Sequence, residues 1–153
     1  MVKIVFFRHG RAEAKTSRVS DSERRLTERG KREVLGSAAA LSCFKPARIL
    51  SSPYRRAVET SEILSSRLGI AFEIVRWLAP GDEPGLEELF EKDIHEGTVL
   101  VGHNPWLEIV VTELAGGRIK LKPGGFAVLS VEAPQPGGGV LLALWTPDFA
   151  ECC

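Results

Sequence analysis

The feature that most constrains this chain is its start, where the apolar run Val2-Lys3-Ile4-Val5-Phe6-Phe7 passes without a break into Arg8-His9-Gly10. A near-continuous apolar run of this length is the pattern of a strand buried on both faces, as in parallel sheets covered by helices. Such sheets bind ligands in the crevice outside the carboxyl ends of their strands, so Arg8 and His9 are the first polar side chains delivered there. Taken alone, His9 fits a capping or surface role equally well. The other strand ends have to decide.

Residues 11–26 are polar, charged and aperiodic, which predicts a long surface loop placed to wall or cover a site. Thr27 offers an N-cap, and Val34, Leu35, Ala38 and Leu41 recur at helical spacing until Lys45-Pro46, predicting a helix over 28–43. Residues 47–52 read as a second strand. Pro53 suits the first position of a helix whose core stripe is Tyr54, Ala57, Ser61, Leu64 and Leu68, ending at Gly69 before a strand at 71–75. Turn residues fill 78–85, and Leu86, Leu89, Phe90 and Ile94 predict a helix over 85–95 with His95 at its end, placed to meet the terminal carbonyls. The run Thr98-Val99-Leu100-Val101 is a buried strand that breaks at Gly102-His103-Asn104-Pro105. There Asn104 is the expected N-cap and Pro105 the expected first residue of a helix carrying Leu107, Val110, Val111 and Leu114. Residues 125–131 and 140–145 predict an antiparallel pair at one sheet edge, joined by a Pro/Gly loop. The expected fold class is α/β, a three-layer α/β/α sandwich around a mainly parallel central sheet, with 1–153 as a single domain.

A chain of 153 residues suits that reading, since a domain this size buries about 68–70% of its unfolded surface. Lysine plus arginine balance aspartate plus glutamate at 20 each, so net charge points to neither nucleic acid nor an anionic membrane, and any positive site must be local. No apolar run approaches a membrane span and the first residues read as a strand rather than a signal peptide, which leads to the expectation of a cytoplasmic protein. Cys43, Cys152 and Cys153 have neither metal-ligand spacing nor the pattern of a disulfide framework. Cys43 is expected to be a small core residue at a helix end, and the terminal pair is given no role. With no Walker glycine loop and no carboxylate cluster for Mg²⁺, no metal and no cofactor is expected.

Three strand ends carry cationic or imidazole groups: Arg8-His9, Arg55-Arg56 and His103. In a mainly parallel sheet these ends share an edge, which predicts a pocket for a compact dianion such as phosphate, matched by arginine forks and helix N-termini. Arg55 is read as a solvated helix residue. Two imidazoles beside a bound phosphoryl group point to nucleophilic catalysis: His9 attacks phosphorus, and His103 with Arg8 and Arg56 neutralises the charge that spreads over the phosphoryl oxygens.

These residues also carry a resemblance. Phe7-Arg8-His9-Gly10 with Ala12, Arg24-Arg25-Leu26-Thr27, Ser52-Pro53-Tyr54-Arg55-Arg56-Ala57 with Thr60, and Val101-Gly102-His103-Asn104-Pro105 resemble, in order and spacing, the histidine phosphatase superfamily with its phosphoglycerate mutase-like fold. The short chain and the Arg-His-Gly-x-Ala start are most similar to its small SixA-type branch, the phosphohistidine phosphatases. The resemblance implies that His9 is phosphorylated in turnover, that Arg8, Arg56 and His103 form the phosphate pocket, and that Arg24, Asn104 and Gly10 help bind substrate. It leaves open which of Arg24 and Arg25 faces the site, since Arg25 stands where the family often has proline. Glu59, where glutamine is frequent, is expected to point away from the phosphate.

Larger branches use a carboxylic acid to protonate the leaving oxygen, in a segment that here contains Asp82 and Glu83. Turn chemistry and solvent exposure explain these two equally well. A phosphorylated imidazole needs little help in leaving, because its second nitrogen protonates near neutral pH. The expected activity is therefore a metal-independent phosphatase acting on phosphohistidine in a protein partner. The alternatives are a phosphatase of small phosphate esters and a non-catalytic phosphate-binding or phosphoprotein-binding module. Trp106, beside the His103 turn, is a candidate for the substrate entrance.

Overall fold

A computed structural model describes residues 1–151 of the chain. Its centre is β1 (Val2–Arg8), whose side chains alternate between two cores. Ile4 and Phe6 enter one cluster, and Val5 and Phe7 enter the other. All four are at most 1% exposed, and burial of each side chain contributes about 1.5–3 kcal/mol.

The remaining strands are β2 (Arg48–Ser51), β3 (Phe72–Ile74), β4 (Thr98–Gly102), β5 (Phe126–Val131) and β6 (Gly139–Trp145), in one sheet of order β3-β2-β4-β1-β5-β6. β1 pairs in parallel with β4, and β4 and β3 pair in parallel with β2. β5 runs antiparallel to β1, and β6 antiparallel to β5, so the predicted antiparallel pair does lie at one side of the sheet.

Among the described residues four α-helices cover the sheet: α1 (Glu28–Leu41), α2 (Arg55–Leu68), α3 (Leu86–Leu89) and α4 (Trp106–Ala115). Val34, Ala38 and Leu41 of α1 and Ala57 and Leu64 of α2 pack with Val5 and Phe7. Leu89 of α3 and Leu107, Val110, Val111 and Leu114 of α4 pack with Ile4 and Phe6 on the other face. This is the three-layer α/β/α arrangement expected. Thr27 caps α1 by accepting from the Gly30 N–H at 2.9 Å, and Gly69, left-handed at φ 68°, closes α2.

Five local expectations are corrected. α1 ends at Leu41 and is followed by a single 3₁₀ turn, Ser42–Phe44, which leaves Cys43 exposed; Phe44 is the residue of that turn that packs on the core. The helix expected over 85–95 is one turn long. Phe90 and Ile94 still reach the core, from irregular chain in which Ile94 N–H donates to Lys92 O, so an apolar spacing compatible with a helix is met without one. α2 begins at Arg55 with Tyr54 as its N-cap, leaving Pro53 outside the helix. α4 begins at Trp106 with Pro105 at the cap. Asn104 does not cap it: its Oδ1, the atom a cap would use, is buried without a partner, and its Nδ2 donates to Glu108 and to Leu121 O. His95, no longer at a helix end, is exposed and pairs with Asp93 at 2.6 Å. The Cys152-Cys153 pair lies outside the described residues. Among those residues no helix is long and apolar enough to cross a membrane.

Candidate active site

The registers Arg8↔Gly102 and Ser51↔Val101 bring the carboxyl ends of β1, β4 and β2 level at one sheet edge. His9, His103 and Ser52 are the next residues along each strand. His9 N–H donates to Gly102 O at 3.1 Å, and Ser52 N–H to Val101 O at 3.0 Å, so the backbone still holds the chain where the side chains turn into the cleft. The cleft, of about 440 Å³, is lined by Arg8, His9, Arg56 and His103 from the strand and helix ends, and by Ala12, Lys15, Asp21 and Arg24 from the loop over 11–26. That loop is closed at its base by an Ala12–Leu26 bridge and walls the site, as its position after β1 predicted.

Two partners define the His9 ring. Nδ1 lies 2.7 Å from Gly10 O, which can only accept, so Nδ1 carries the proton. Arg56 Nε, which can only donate, lies 3.3 Å from Nε2, so Nε2 presents its lone pair. Burial, with Arg56, Arg8 and Arg24 adding to it against the opposing Gly10 hydrogen bond, pushes the His9 pKa down to about 3. The ring is therefore neutral at physiological pH, with Nε2 unprotonated. Gly10 itself is held by donating to Thr60 Oγ1 at 3.0 Å, and a Cβ there would meet Val34 at 2.8 Å. It positions His9 and is not among the residues lining the cleft.

His103, 3% exposed, sits with its ring centroid 5.0 Å from that of His9. Its Nε2 is 2.7 Å from Ser52 Oγ, and its Nδ1 is buried without a partner. Burial, and then the neighbouring His9 and Arg56, push its pKa down to about 3 as well. Arg8 Nη1 donates to Leu121 O at 2.9 Å while its Nε is buried and unpartnered. Arg56, 5% exposed, donates through Nη1 to Asp21 O at 2.7 Å, and its guanidinium lies 5.1 Å over the Tyr54 ring. Burial lowers the pKa of both arginines, yet a guanidinium remains a cation at any working pH.

Arg24 faces the cleft, where its Nε and Nη2 both reach Asp21 Oδ1 at 2.9 Å, whereas Arg25 is turned to the outer side of the loop. Glu59 points away, accepting from Leu26 N–H at 2.8 Å and facing Arg55 at 3.9 Å. Asn104 lines the cleft, but its Nδ2 is committed to Glu108 and to Leu121 O. Asp82 is exposed, and Glu83 Oε1 accepts from Gly81 N–H at 2.9 Å; neither lines the cleft, to which this loop contributes Pro80. Trp106 is a core residue and no entrance wall: it is 8% exposed and donates from Nε1 to Pro84 O at 2.7 Å.

Sequence reasoning missed three contributors. Asp21, inside an aperiodic loop, is the carboxylate that lines the cleft and also pairs with Arg56 at 3.3 Å. Tyr54, read as a core residue, packs edge-on to His103 with centroids 5.3 Å apart. Ser52 joins the His103 ring. The adjacency of Ser52 and Tyr54 to Arg56 was the signal available for the last two.

The class is an α/β protein with a cationic cleft at the carboxyl edge of a mainly parallel sheet, of a charge that suits a compact anion and with an unprotonated imidazole nitrogen inside it. A family model for branch 1 of the histidine phosphatase superfamily matches residues 4–97, and the chain belongs to that superfamily. An uncharacterized protein from Picosynechococcus sp. is 32% identical over 135 residues, covering 81% of this chain and 82% of the relative. Among solved structures, the protein histidine phosphatase SixA complexed with tungstate superposes with a TM-score of 0.83 at 23% identity, covering 97% of this chain and 99% of that one. A mycobacterial glucosyl-3-phosphoglycerate phosphatase superposes with a TM-score of 0.68 at 17% identity, covering 95% and 99%. These likenesses establish the phosphoglycerate mutase-like fold, and the superfamily makes the chain a phosphatase.

Proposed function

We propose that the chain is a metal-independent phosphohistidine phosphatase that works through a covalent phosphohistidine at His9 and acts on a phosphorylated protein partner. The observation that carries this reading is the wiring of His9, whose Nδ1 is spent on Gly10 O and whose unprotonated Nε2 is held by Arg56 Nε inside a cleft lined by Arg8, Arg11, Lys15, Arg24 and Arg56. Nε2 attacks phosphorus and the P–N bond of the substrate breaks, the departing imidazole taking its proton from solvent. Water then attacks phosphorus, the His9 P–N bond breaks, and inorganic phosphate leaves. Gly10 O stabilises the positive charge that the His9 ring gains while phosphorylated, and Arg8, Arg24, Arg56 and His103 neutralise charge on the phosphoryl oxygens.

The substrate class follows from the acids. Burial would raise the Asp21 carboxyl, but Arg56 and Arg24 outweigh it and hold the group below the usual carboxylate range, so it is ionised and a poor proton donor. Ester cleavage, which needs a protonated leaving oxygen, is disfavoured against cleavage of a phosphoramidate. The protein's own cations supply the charge that a metal would otherwise bring.

A panel of phosphohistidine peptide and small phosphate esters, assayed with and without EDTA at several pH values, tests the reading. Faster turnover of the phosphoramidate, unaffected by EDTA, with acid-labile phosphate trapped on His9, is expected. Faster ester cleavage would make the chain a small-molecule phosphatase, and phosphate binding with no turnover would make it a binding module.

A further inference from the structure

Ser52 is 0% exposed, and its hydroxyl has two neighbours within hydrogen-bond reach. One is the Tyr54 N–H, 3.2 Å away, which can only donate and so takes a lone pair of Oγ. The other is Nε2 of His103, 2.7 Å away, which donates or accepts according to its tautomer. His103 Nδ1, at the far side of the ring, is buried with no partner.

The two tautomers leave different debts. If Nε2 carried the proton, Ser52 Oγ would accept twice, its own hydroxyl proton would be orphaned in a buried site, and the bare Nδ1 would be a second unsatisfied group. If Nδ1 carries the proton, the Ser52 hydroxyl donates to Nε2 and one orphan remains, the Nδ1–H. Each buried unsatisfied group is destabilising, so the second arrangement wins. Its single orphan is a donor on a ring that lines the cleft, where an anion would satisfy it. The lone pair left by the first tautomer would repel phosphoryl oxygens.

Resting on the reading of the cleft as a phosphoryl site, we infer that Ser52 is a positioning residue that holds His103 as a neutral Nδ1–H donor to the bound phosphoryl group. The Tyr54 N–H fixes the hydroxyl, and the hydroxyl fixes the ring. The low pKa of His103 agrees with a donor that works without becoming imidazolium. His103 thereby presents a hydrogen where His9 presents a lone pair, and the two rings do not compete for phosphorus.

Long-range ¹H–¹⁵N spectra of the imidazole nitrogens at neutral pH test this directly. In the native protein the His103 resonances are expected to report the Nδ1–H form and to shift on addition of inorganic phosphate. Ser52→Ala is expected to lose the tautomer preference and weaken phosphate binding about tenfold, while Ser52→Thr, which keeps the hydroxyl, restores both. An Nε2–H form in the native protein, or an unchanged tautomer and phosphate affinity in Ser52→Ala, overturns the inference. Neither readout requires turnover. Failure of the native protein to hydrolyse any phosphoramidate would overturn the proposed reaction and move neither.

Discussion

His9 and His103 leave neighbouring parallel strands one residue beyond the paired positions Arg8 and Gly102, and one tautomer, protonated at Nδ1, is tied down differently in each ring. His9 donates its Nδ1 proton to a backbone carbonyl and accepts from Arg56 Nε at Nε2, whereas His103, in the tautomer inferred above, accepts the Ser52 hydroxyl at Nε2 and keeps a hydrogen at Nδ1. In the proposed reaction the same residue type at the same sheet edge serves as nucleophile or donor according to the neighbour that ties down its ring. A carbonyl oxygen can only accept and so holds the Nδ1 proton of His9, whereas the Ser52 hydroxyl, with the Tyr54 N–H on one lone pair, still has its own proton to donate.

Removing each ring breaks this asymmetry most directly. In the proposed reaction His9→Ala deletes the attacking atom, and kcat on a phosphohistidine peptide should fall on the order of 10⁴-fold or more. His103→Ala deletes one of several stabilising donors and should cost about 10²–10³-fold. Acid-labile phosphate should still be trapped on the His103 variant and never on the His9 variant. Equal losses, or phosphate found on His103, would show that the two rings share one role.

In acid the two rings should behave alike. Each has its pKa pushed from 6.5 to about 3, so between those values the unfolded chain binds protons that the folded chain refuses. Their stabilising contribution is complete above about pH 6.5 and is lost progressively as pH falls toward 3. From pH 7 to pH 5 the loss is up to about 2 kcal/mol for each ring. Urea midpoints at the two pH values check it, and His103→Gln should remove roughly half of the dependence. A midpoint insensitive to pH in the native protein would mean that the rings titrate normally when folded.

What was legible in the sequence follows the same division between local and long-range causes. The apolar run of β1 and the strand ends at Arg8-His9, Arg56 and His103 were readable because strand burial and helix spacing are written in consecutive residues, and a parallel sheet brings such ends together. The wiring was not readable. The acceptor for the Gly10 N–H is Thr60, fifty positions away, and the partner of His103 is Ser52, fifty-one positions away. Asp21 was invisible for another reason: a loop without periodicity carries no signal about which of its charges turns inward. Cys43 and Asn104 were misplaced because a helix end was set by one extra 3₁₀ turn in the first case, and by Glu108 and Leu121 outcompeting a cap in the second.

The support behind His9 is a smaller lever. Thr60 Oγ1 accepts from Gly10 N–H at 3.0 Å and donates to Arg56 O at 2.7 Å, so one hydroxyl ties the nucleophile's neighbour to the helix that carries the arginine. Thr60→Val keeps the shape and orphans a buried N–H, which should cost about 1–3 kcal/mol of stability. Turnover should fall with it, as Gly10 O loses its fixed direction toward His9. Unchanged stability in calorimetry would mean that Gly10 finds another acceptor.

The smallest effect concerns the loop that carries Asp82 and Glu83. Burial raises the Glu83 carboxyl pKa, which is a property sought in a general acid, yet its Oε1 accepts from Gly81 N–H and the side chain does not line the cleft. Asp21 has the opposite combination, inside the cleft but held ionised. If neither supplies a proton, Asp82→Asn and Glu83→Gln should change phosphohistidine turnover by no more than about twofold, the size of effect expected of a residue that misses the transition state. The informative comparison is between substrates. A tenfold loss on a phosphate ester in Glu83→Gln, with phosphohistidine turnover untouched, would show that Glu83 reaches the cleft when an alkoxide must leave, and would make this loop the acid-bearing counterpart of the two histidines.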